Sequence, residues 1–322
     1  MVRTVLQRVA TALAVLLVVS VVTFAAVRVL PGDAATLALG LDGTPETVAA
    51  LSAAMGLDAP LLEQYLGWVA GVLQGDWGTS RSFGLPVTEV IASALPVTLA
   101  LAAYAMLLAC LVAVPLGVAA ALRPGGAADA VARVVAQLAS AAPGFWVAVL
   151  LMLFFAGTLG WFPVSGYTPF LQDPLQSLRS LTLPAVALAV GECGVLVRTV
   201  RSSTMSALAR DCMLSAQVKG LSSFRTVVVY ALRSALVAPL TVAGLQLAKL
   251  VGGTVVVESV FALPGLGRLL LTAVEQRDLM LVQGIVLLVT AAVVLVSLLV
   301  DLLVMAADPQ VRRVGSQGGD AE

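Results

Sequence analysis

Six runs of apolar residues, each long enough to cross a lipid bilayer as a helix, constrain this chain more than anything else in it. They lie at roughly 9–29, 97–122, 134–159, 181–200, 235–257 and 284–306. A helix rises 1.5 Å per residue and a bilayer's hydrocarbon core is about 30 Å thick, so about 20 apolar residues suffice for a span. The runs are too long to be barrel strands, which need only about 10 alternating residues. Composition agrees: 60% of the 322 residues are hydrophobic and 11% charged, against about 25% charged in soluble domains. The expected class is an all-α, polytopic membrane protein with a single transmembrane domain, 1–322, built on six spans. The second span contains Pro115, which neighbouring helices can accommodate in a membrane. The first follows Arg3 and Arg8 but is longer than a signal peptide's apolar core and lacks an A-x-A site, so it reads as a retained anchor.

Charge placement orients the spans. With the N-terminus inside, Arg3, Arg8, Arg123, Arg133, Arg198, Arg201, Arg210, Lys219, Arg225, Arg233, Arg312 and Arg313 fall on the cytoplasmic side. Arg28, Arg81, Arg179, Arg268 and Arg277 fall outside, and Lys249 lies within a span. The excess of basic residues on the first side predicts that both termini are cytoplasmic. The segment 31–96 is then an extracytoplasmic cap, with Arg81 its only base among seven acids. "TPETVAALSAAMG" predicts a short helix there, with Thr44 at its cap, and "DAPLLEQYLGWVAGVLQGDWG" predicts another. The tail 309–322 reads as disordered.

Several functions are excluded by residue type. The chain has no histidine, which removes HExxH zinc sites, Ser-His triads and His-ligated haem. Lys219 precedes Gly220 and Lys249 precedes Leu250, so no Gly-Lys-Ser/Thr phosphate loop exists. Cys110, Cys193 and Cys212 fit no metal spacing. "LQGDWG" has Leu73 where a GxGD membrane protease needs glycine. Net charge is zero and predicts no nucleic-acid partner. No catalytic residue, metal site or cofactor is expected in this chain.

The longest cytoplasmic loop, 201–234, is unlike its surroundings. Asp211 suits a helix N-cap, Gly220 followed by Leu221 suits a left-handed helix end, and a second helix begins near Ser222. Phe224, Val227, Val228, Ala231 and Ala235 share a face, with Arg225 and Arg233 turned away. Such a basic amphipathic helix can lie on anionic lipid or dock a soluble subunit.

The residues "DCMLSAQVKGLSSFRTVVVYALRSAL" resemble the cytoplasmic EAA-type loop of permease subunits in ABC importers, especially the dipeptide/oligopeptide/nickel branch. The resemblance rests on Ala216, Lys219, Gly220, Leu221, Ser222, Ala231, Leu232, Arg233, Ala235 and Leu236. Leu214 stands where the general motif has glutamate, and the terminal Leu-Pro is missing. "RVLPGD", "MGLDAPLLEQYLGWVAGVLQGDWGTS", "GGTVVVESVFALPGLGRLL", the Arg277-Asp278 pair and "VSLLVDLLVMAADPQVR" also match, in order along nearly the whole chain. The resemblance implies a type I ABC importer permease fold in a prokaryotic plasma membrane, with a coupling helix between the fourth and fifth spans. ATPase docking would fall on Asp211, Ala216, Lys219, Gly220, Leu221, Ser222 and Arg225.

Expected partners are a second homologous permease, one or two ABC ATPase subunits that bind ATP and Mg, an extracytoplasmic substrate-binding protein and membrane lipid. Peptides or similar small solutes are the implied substrate, with nickel chelates, metallophores and glutathione as alternatives in the same role. A stand-alone channel or secondary carrier is the alternative of a different class. Pro264, Gly265 and Gly267 predict an outer gate or an ordinary turn. Glu258, Arg268, Arg277 and Asp278 are expected as a polar rim for the binding protein. Glu192 and Lys249 stand in apolar runs, where an ionised group costs at least about 2.5–3.5 kcal/mol on insertion scales. They are candidate pathway residues that either meet on the pathway side, directly or through water, line it separately, or find other partners.

Overall fold

The computed structural model of the protein describes residues 2–29, 44–54, 59–209 and 235–307. The docking-loop residues Asp211, Ala216, Lys219, Gly220, Leu221, Ser222 and Arg225, the tail 309–322 and the cap residues 31–43 lie outside them. Among the described residues the structure is helical, with one isolated antiparallel bridge between Thr79 and Pro86.

Helix α1 spans Val2–Val29. In the cap, α2 spans Pro45–Ala54 and α3 Leu61–Gln74. Helix α4 runs Val87–Leu122 and is followed by α5, Ala127–Ala141. Helix α6, Gly144–Leu151, passes into a π-helical segment, Met152–Thr158. Then come α7 (Pro174–Leu208), α8 (Val237–Gly253), α9 (Val255–Val260), α10 (Leu266–Glu275) and α11 (Leu279–Ala307). Four helices, α1, α4, α7 and α11, are long and apolar enough to cross a membrane. The bent pair of α5 with α6 and its π-helical extension makes a fifth if counted as one span. Helix α8 is apolar but shorter.

Two helices start well before the hydropathy signal. Helix α4 begins at Val87 rather than near 97, because Val87, Val90, Ile91 and Ala94 bury a face against residues of α10 and α11. Helix α7 begins at Pro174 rather than near 181. The Asp173 side chain accepts from the Leu175 and Gln176 N–H groups at 3.0 Å each, and Pro174 fills the first helical position.

The run expected as one span at 134–159 is two helices bent by 99°. Ala142, the residue before Pro143, takes an extended conformation at φ −78° and ψ 121°. Proline crowds its predecessor out of the helical region, so the chain turns there. Helix α5 lies against α7 through Asp129, Ala132, Ala136 and Ala139. Its first turn is fixed by Asp129, whose Oδ1 accepts from Arg201 Nε at 2.6 Å and whose Oδ2 accepts from Arg201 Nη2 at 3.1 Å and Gly125 N at 2.9 Å.

The centre of the structure is α4 against α7, with α5, α6 and α8 packed on α7, α11 on α8, and α1 on α11. Small side chains let the central pair approach: Ala102, Ala105, Ala109 and Ala113 on α4, with Ala185, Ala187 and Ala189 on α7. At Gly117 a Cβ would lie 2.8 Å from Val200 Cβ, so that contact admits only glycine. Lipid tails are as apolar as leucine, so close packing of small residues replaces the hydrophobic effect as the force that orders such helices. On the periphery, Arg8 Nη1 donates to Asp301 Oδ2 at 2.6 Å, tying α1 to α11. Ser20 Oγ and Tyr65 Oη lie 2.8 Å apart, and Phe24, Tyr65 and Trp68 form an aromatic cluster that ties α1 to the cap.

Candidate functional site

The stretch 254–270, "TVVVESVFALPGLGRLL", winds around the carboxylate of Glu258, which is 0% exposed. Its Oε1 accepts from Thr98 Oγ1 and Thr254 Oγ1, each at 2.7 Å. Its Oε2 accepts from Gly267 N at 2.8 Å and Arg268 N at 3.1 Å. Thr98 Oγ1 in turn accepts from Leu266 N at 2.8 Å, so its single proton is committed to Glu258. Four donors around one carboxyl is the pattern that an acceptor-only carboxylate satisfies. The first three N–H groups of α10, otherwise without partners at a helix start, are all taken up here. The negative charge also faces the positive end of the α10 dipole.

This arrangement explains the glycines. A Cβ at Gly265 would lie 2.4 Å from Glu258 Cδ, and one at Gly267 would lie 2.5 Å from Val255 Cα. No side chain fits at either place. Between them and α9, Ala262 adopts a left-handed φ of 52°, uncommon for a residue with a Cβ. Leu263 N donates to Glu258 O at 2.8 Å, and Arg268 Nη1 donates to Ala262 O at 2.7 Å, which together close the turn. Pro264 sits at the exposed tip.

A second carboxylate works in the same way one corner further on. Asp278 is 1% exposed. Its Oδ2 accepts from Ser80 Oγ at 2.5 Å and Ser82 N at 3.0 Å, while Oδ1 accepts from Leu281 N at 3.2 Å in the first turn of α11. It therefore caps α11 and staples the loop before α4 to the α10–α11 corner. The expected rim of Glu258, Arg268, Arg277 and Asp278 needs correction on this point. Both carboxylates face inward and are satisfied within the chain, because helix starts offer them free N–H groups. Arg268 and Arg277 are the exposed members.

Glu192 lies on α7 and Lys249 on α8, two helices that pack together. Glu192 is 8% exposed and Lys249 is exposed. The ion pairs among the described residues are Arg8–Asp301, Arg133–Asp129 and Arg201–Asp129, so these two are not in direct ionic contact. Among the described residues no cluster of His, Cys, Asp and Glu has the makings of a metal site.

Residues 113–313 match the family described as binding-protein-dependent transport system inner membrane component, and residues 1–102 match the N-terminal unit of the same kind of protein. The chain belongs to this family. A Brucella abortus (strain 2308) protein, whose name assigns it to a peptide transport system as a permease, is 42% identical over 308 residues. That match covers 96% of this chain and 98% of the relative. The dipeptide transport system permease protein DppB of Escherichia coli (strain K12) is 35% identical over 336 residues, covering 97% of this chain and 99% of DppB. A solved chain of the MetNI methionine ABC transporter, in an inward-facing conformation, shares the fold. Its TM-score is 0.55 at 19% identity, over 68% of this chain and 96% of that one.

The permease is thus a non-catalytic, multi-pass component of a prokaryotic inner membrane transport system. The junctions around Glu258 and Asp278 depend on partners that sequence reading missed: Thr98, Thr254, Ser80 and the backbone of the α10 start. A signal exists for one of them, since Thr98 is the lone aliphatic hydroxyl in "ALPVTLALAAY". Asp129 was missed as well, although it is the only acid between Glu89 and Asp173.

Glu258→Gln keeps the shape but sets an amide N–H₂ against two of the four donors. A buried donor left without an acceptor costs about 1–3 kcal/mol. The purified variant should therefore unfold at clearly lower temperature than the wild type, while Glu275→Gln, at an exposed position, should match it. Equal unfolding temperatures for the two variants would refute the four-donor arrangement.

Proposed function

We propose that this chain is the transmembrane permease subunit of an ABC importer that moves peptides or similar small solutes inward. The observation that carries this reading is identity along the whole length with proteins named as peptide and dipeptide permeases, 35% over 97% of this chain for DppB. Nickel chelates, metallophores and glutathione remain narrower substrate alternatives within the same role. The chain has no phosphate loop, so ATP and Mg are bound by one or two partner ATPase subunits. A second homologous permease completes the translocation unit, and an extracytoplasmic binding protein delivers the solute.

In this reading the chain crosses the membrane six times with both termini in the cytoplasm. The crossings are α1, α4, α6 with its π-helical extension, α7, α8 with α9, and α11. Helix α5 lies along the cytoplasmic surface instead of crossing. The 201–234 loop docks the ATPase through Asp211, Ala216, Lys219, Gly220, Leu221, Ser222 and Arg225. Arg268, Arg277 and the acidic cap form the surface met by the binding protein, while the Pro264-Gly265-Gly267 turn held by Glu258 and Asp278 is the outer gate region. Closure of the ATPase dimer moves the spans largely as rigid bodies around a central pathway.

Glu192 and Lys249 belong to that pathway. Lys249 shares an exposed stripe of α8–α9 with Leu245, Gly252 and Val256, a face free to line a passage between two permeases. A peptide carries an ammonium and a carboxylate, the charges complementary to this pair.

Two experiments test the reading. Gly220→Trp places a large side chain where the docking surface needs close backbone approach, so transport should collapse while membrane insertion survives. Normal transport by Gly220→Trp would remove the docking assignment. Independently, Glu192→Lys and Lys249→Glu should each impair uptake, and the double swap should restore part of it. Two harmless single changes would leave the charged pathway without support.

A further inference from the structure

At the arginine-bearing end of the bundle, α5 and α7 enclose a cavity of about 400 Å³ lined by Ala132, Arg133, Val197, Arg198, Arg201 and Ser202. Arg201 and Arg133 approach the Asp129 carboxylate and Arg198 adds a third guanidinium to the lining, so these four residues carry a net charge of +2. Arg201 is committed to Asp129 through two hydrogen bonds. Arg198 is anchored through Nη1, to Ala136 O at 3.2 Å and Ser140 Oγ at 3.0 Å, and its other N–H groups take no acceptor among the described residues. Arg133 reaches Asp129 only at 4.0 Å and its side chain is 64% exposed. Among the described residues the site thus presents two arginines with donors to spare, beside a third that is neutralised by Asp129.

The surrounding surface points to what those donors meet. Helix α5 stands at 99° to the helix that follows it. When the latter crosses the membrane, α5 lies in the membrane plane. Its exposed side carries Val131, Val134 and Leu138 at helical spacing, each more than half exposed, which is the apolar stripe of an interfacial helix. The same helix buries Asp129, Ala132, Ala136 and Ala139 against α7. The cavity between the two helices therefore opens at headgroup depth, beside acyl-chain contacts. Guanidinium forks match phosphate oxygens in geometry and charge, and basic pockets between spans on the cytoplasmic side take anionic lipid headgroups.

We propose that this cavity binds the headgroup phosphate of an anionic phospholipid from the cytoplasmic leaflet, through Arg133 and Arg198. The apolar walls at Ala132 and Val197 suit the glycerol and first methylenes of the lipid. A free phosphate would leave them uncovered. The proposal does not depend on which solute is carried.

The assembled transporter, exposed to equal amounts of phosphatidylglycerol and phosphatidylcholine and washed, is analysed by native mass spectrometry. Phosphatidylglycerol should be retained in preference, and the double change Arg133→Gln with Arg198→Gln should lower its retention about tenfold, the loss of a charge-assisted contact. Arg133→Gln alone, at an exposed side chain outside the helix contacts, serves if the double variant does not assemble, and should lower retention in the same direction. Equal retention of both lipids, or retention unchanged by Arg133→Gln, overturns the proposal. Displacement of the lipid by millimolar inorganic phosphate reassigns the cavity to a free anion. Loss of the ATPase subunits with phosphatidylglycerol still bound reassigns the arginines to a protein partner. Both of those outcomes also overturn the lipid assignment.

Discussion

A fully buried carboxylate with four hydrogen-bond donors and, among the described residues, no cation, that of Glu258, organises the end of the bundle where α4, α9 and α10 meet. It reaches from α9 to Thr98 on α4 and to the first N–H groups of α10. A buried polar group without partners is costly, so a carboxylate buried inside the protein fixes the position of everything that satisfies it. Gly265 and Gly267 follow from this, since the backbone must come within contact distance of the carboxyl and of α9. Asp278 repeats the device between the cap loop and the start of α11, and Asp129 repeats it with Arg201 between α5 and α7. Each staple joins segments far apart in the chain, on a core whose apolar contacts alone are poorly directional.

These staples divide the molecule into parts that would travel together. The cap loop, the start of α4, α9, α10 and the start of α11 share the Glu258 and Asp278 contacts at one end. At the other end α5 is locked to α7 by Asp129. In the proposed importer, energy enters from partner subunits at the cytoplasmic loop. A transmission of that kind works best through elements that hold their shape, so internal braces at both ends are consistent with a conduit whose spans rock as units. Glu192 and Lys249 stand apart from the braces: they lie on packed helices without direct ionic contact, and one of them is exposed.

Much of the fold was legible in the sequence because hydropathy reports the lipid-facing middle of a helix well. It reports the ends poorly. The first turns of α4 and α7 are amphipathic or capped by Asp173-Pro174, and an apolar window does not register them. The run 134–159 averages over Pro143 and hides a 99° bend. The motif around Glu258 was recognisable, but its physical role was misread. An acid beside a Pro-Gly turn looks like a surface residue until its partners are known. Those partners lie at Thr98 and Ser80, 160 and 198 residues away from the acids they satisfy, a distance at which one sequence reveals no pairing. The docking loop was the most informative sequence feature, and its motif residues 211–225 lie outside the described residues, so its role rests on that motif.

The central claim, that this chain is a passive conduit driven by partner subunits, is tested most directly by solute uptake in a defined system. Proteoliposomes would hold the chain with its companion permease and ATPase subunits, with the binding protein and a labelled dipeptide outside. The account predicts accumulation that requires both the binding protein and ATP inside the vesicle. Accumulation that proceeds equally without ATP, or that follows an ion gradient alone, would contradict it.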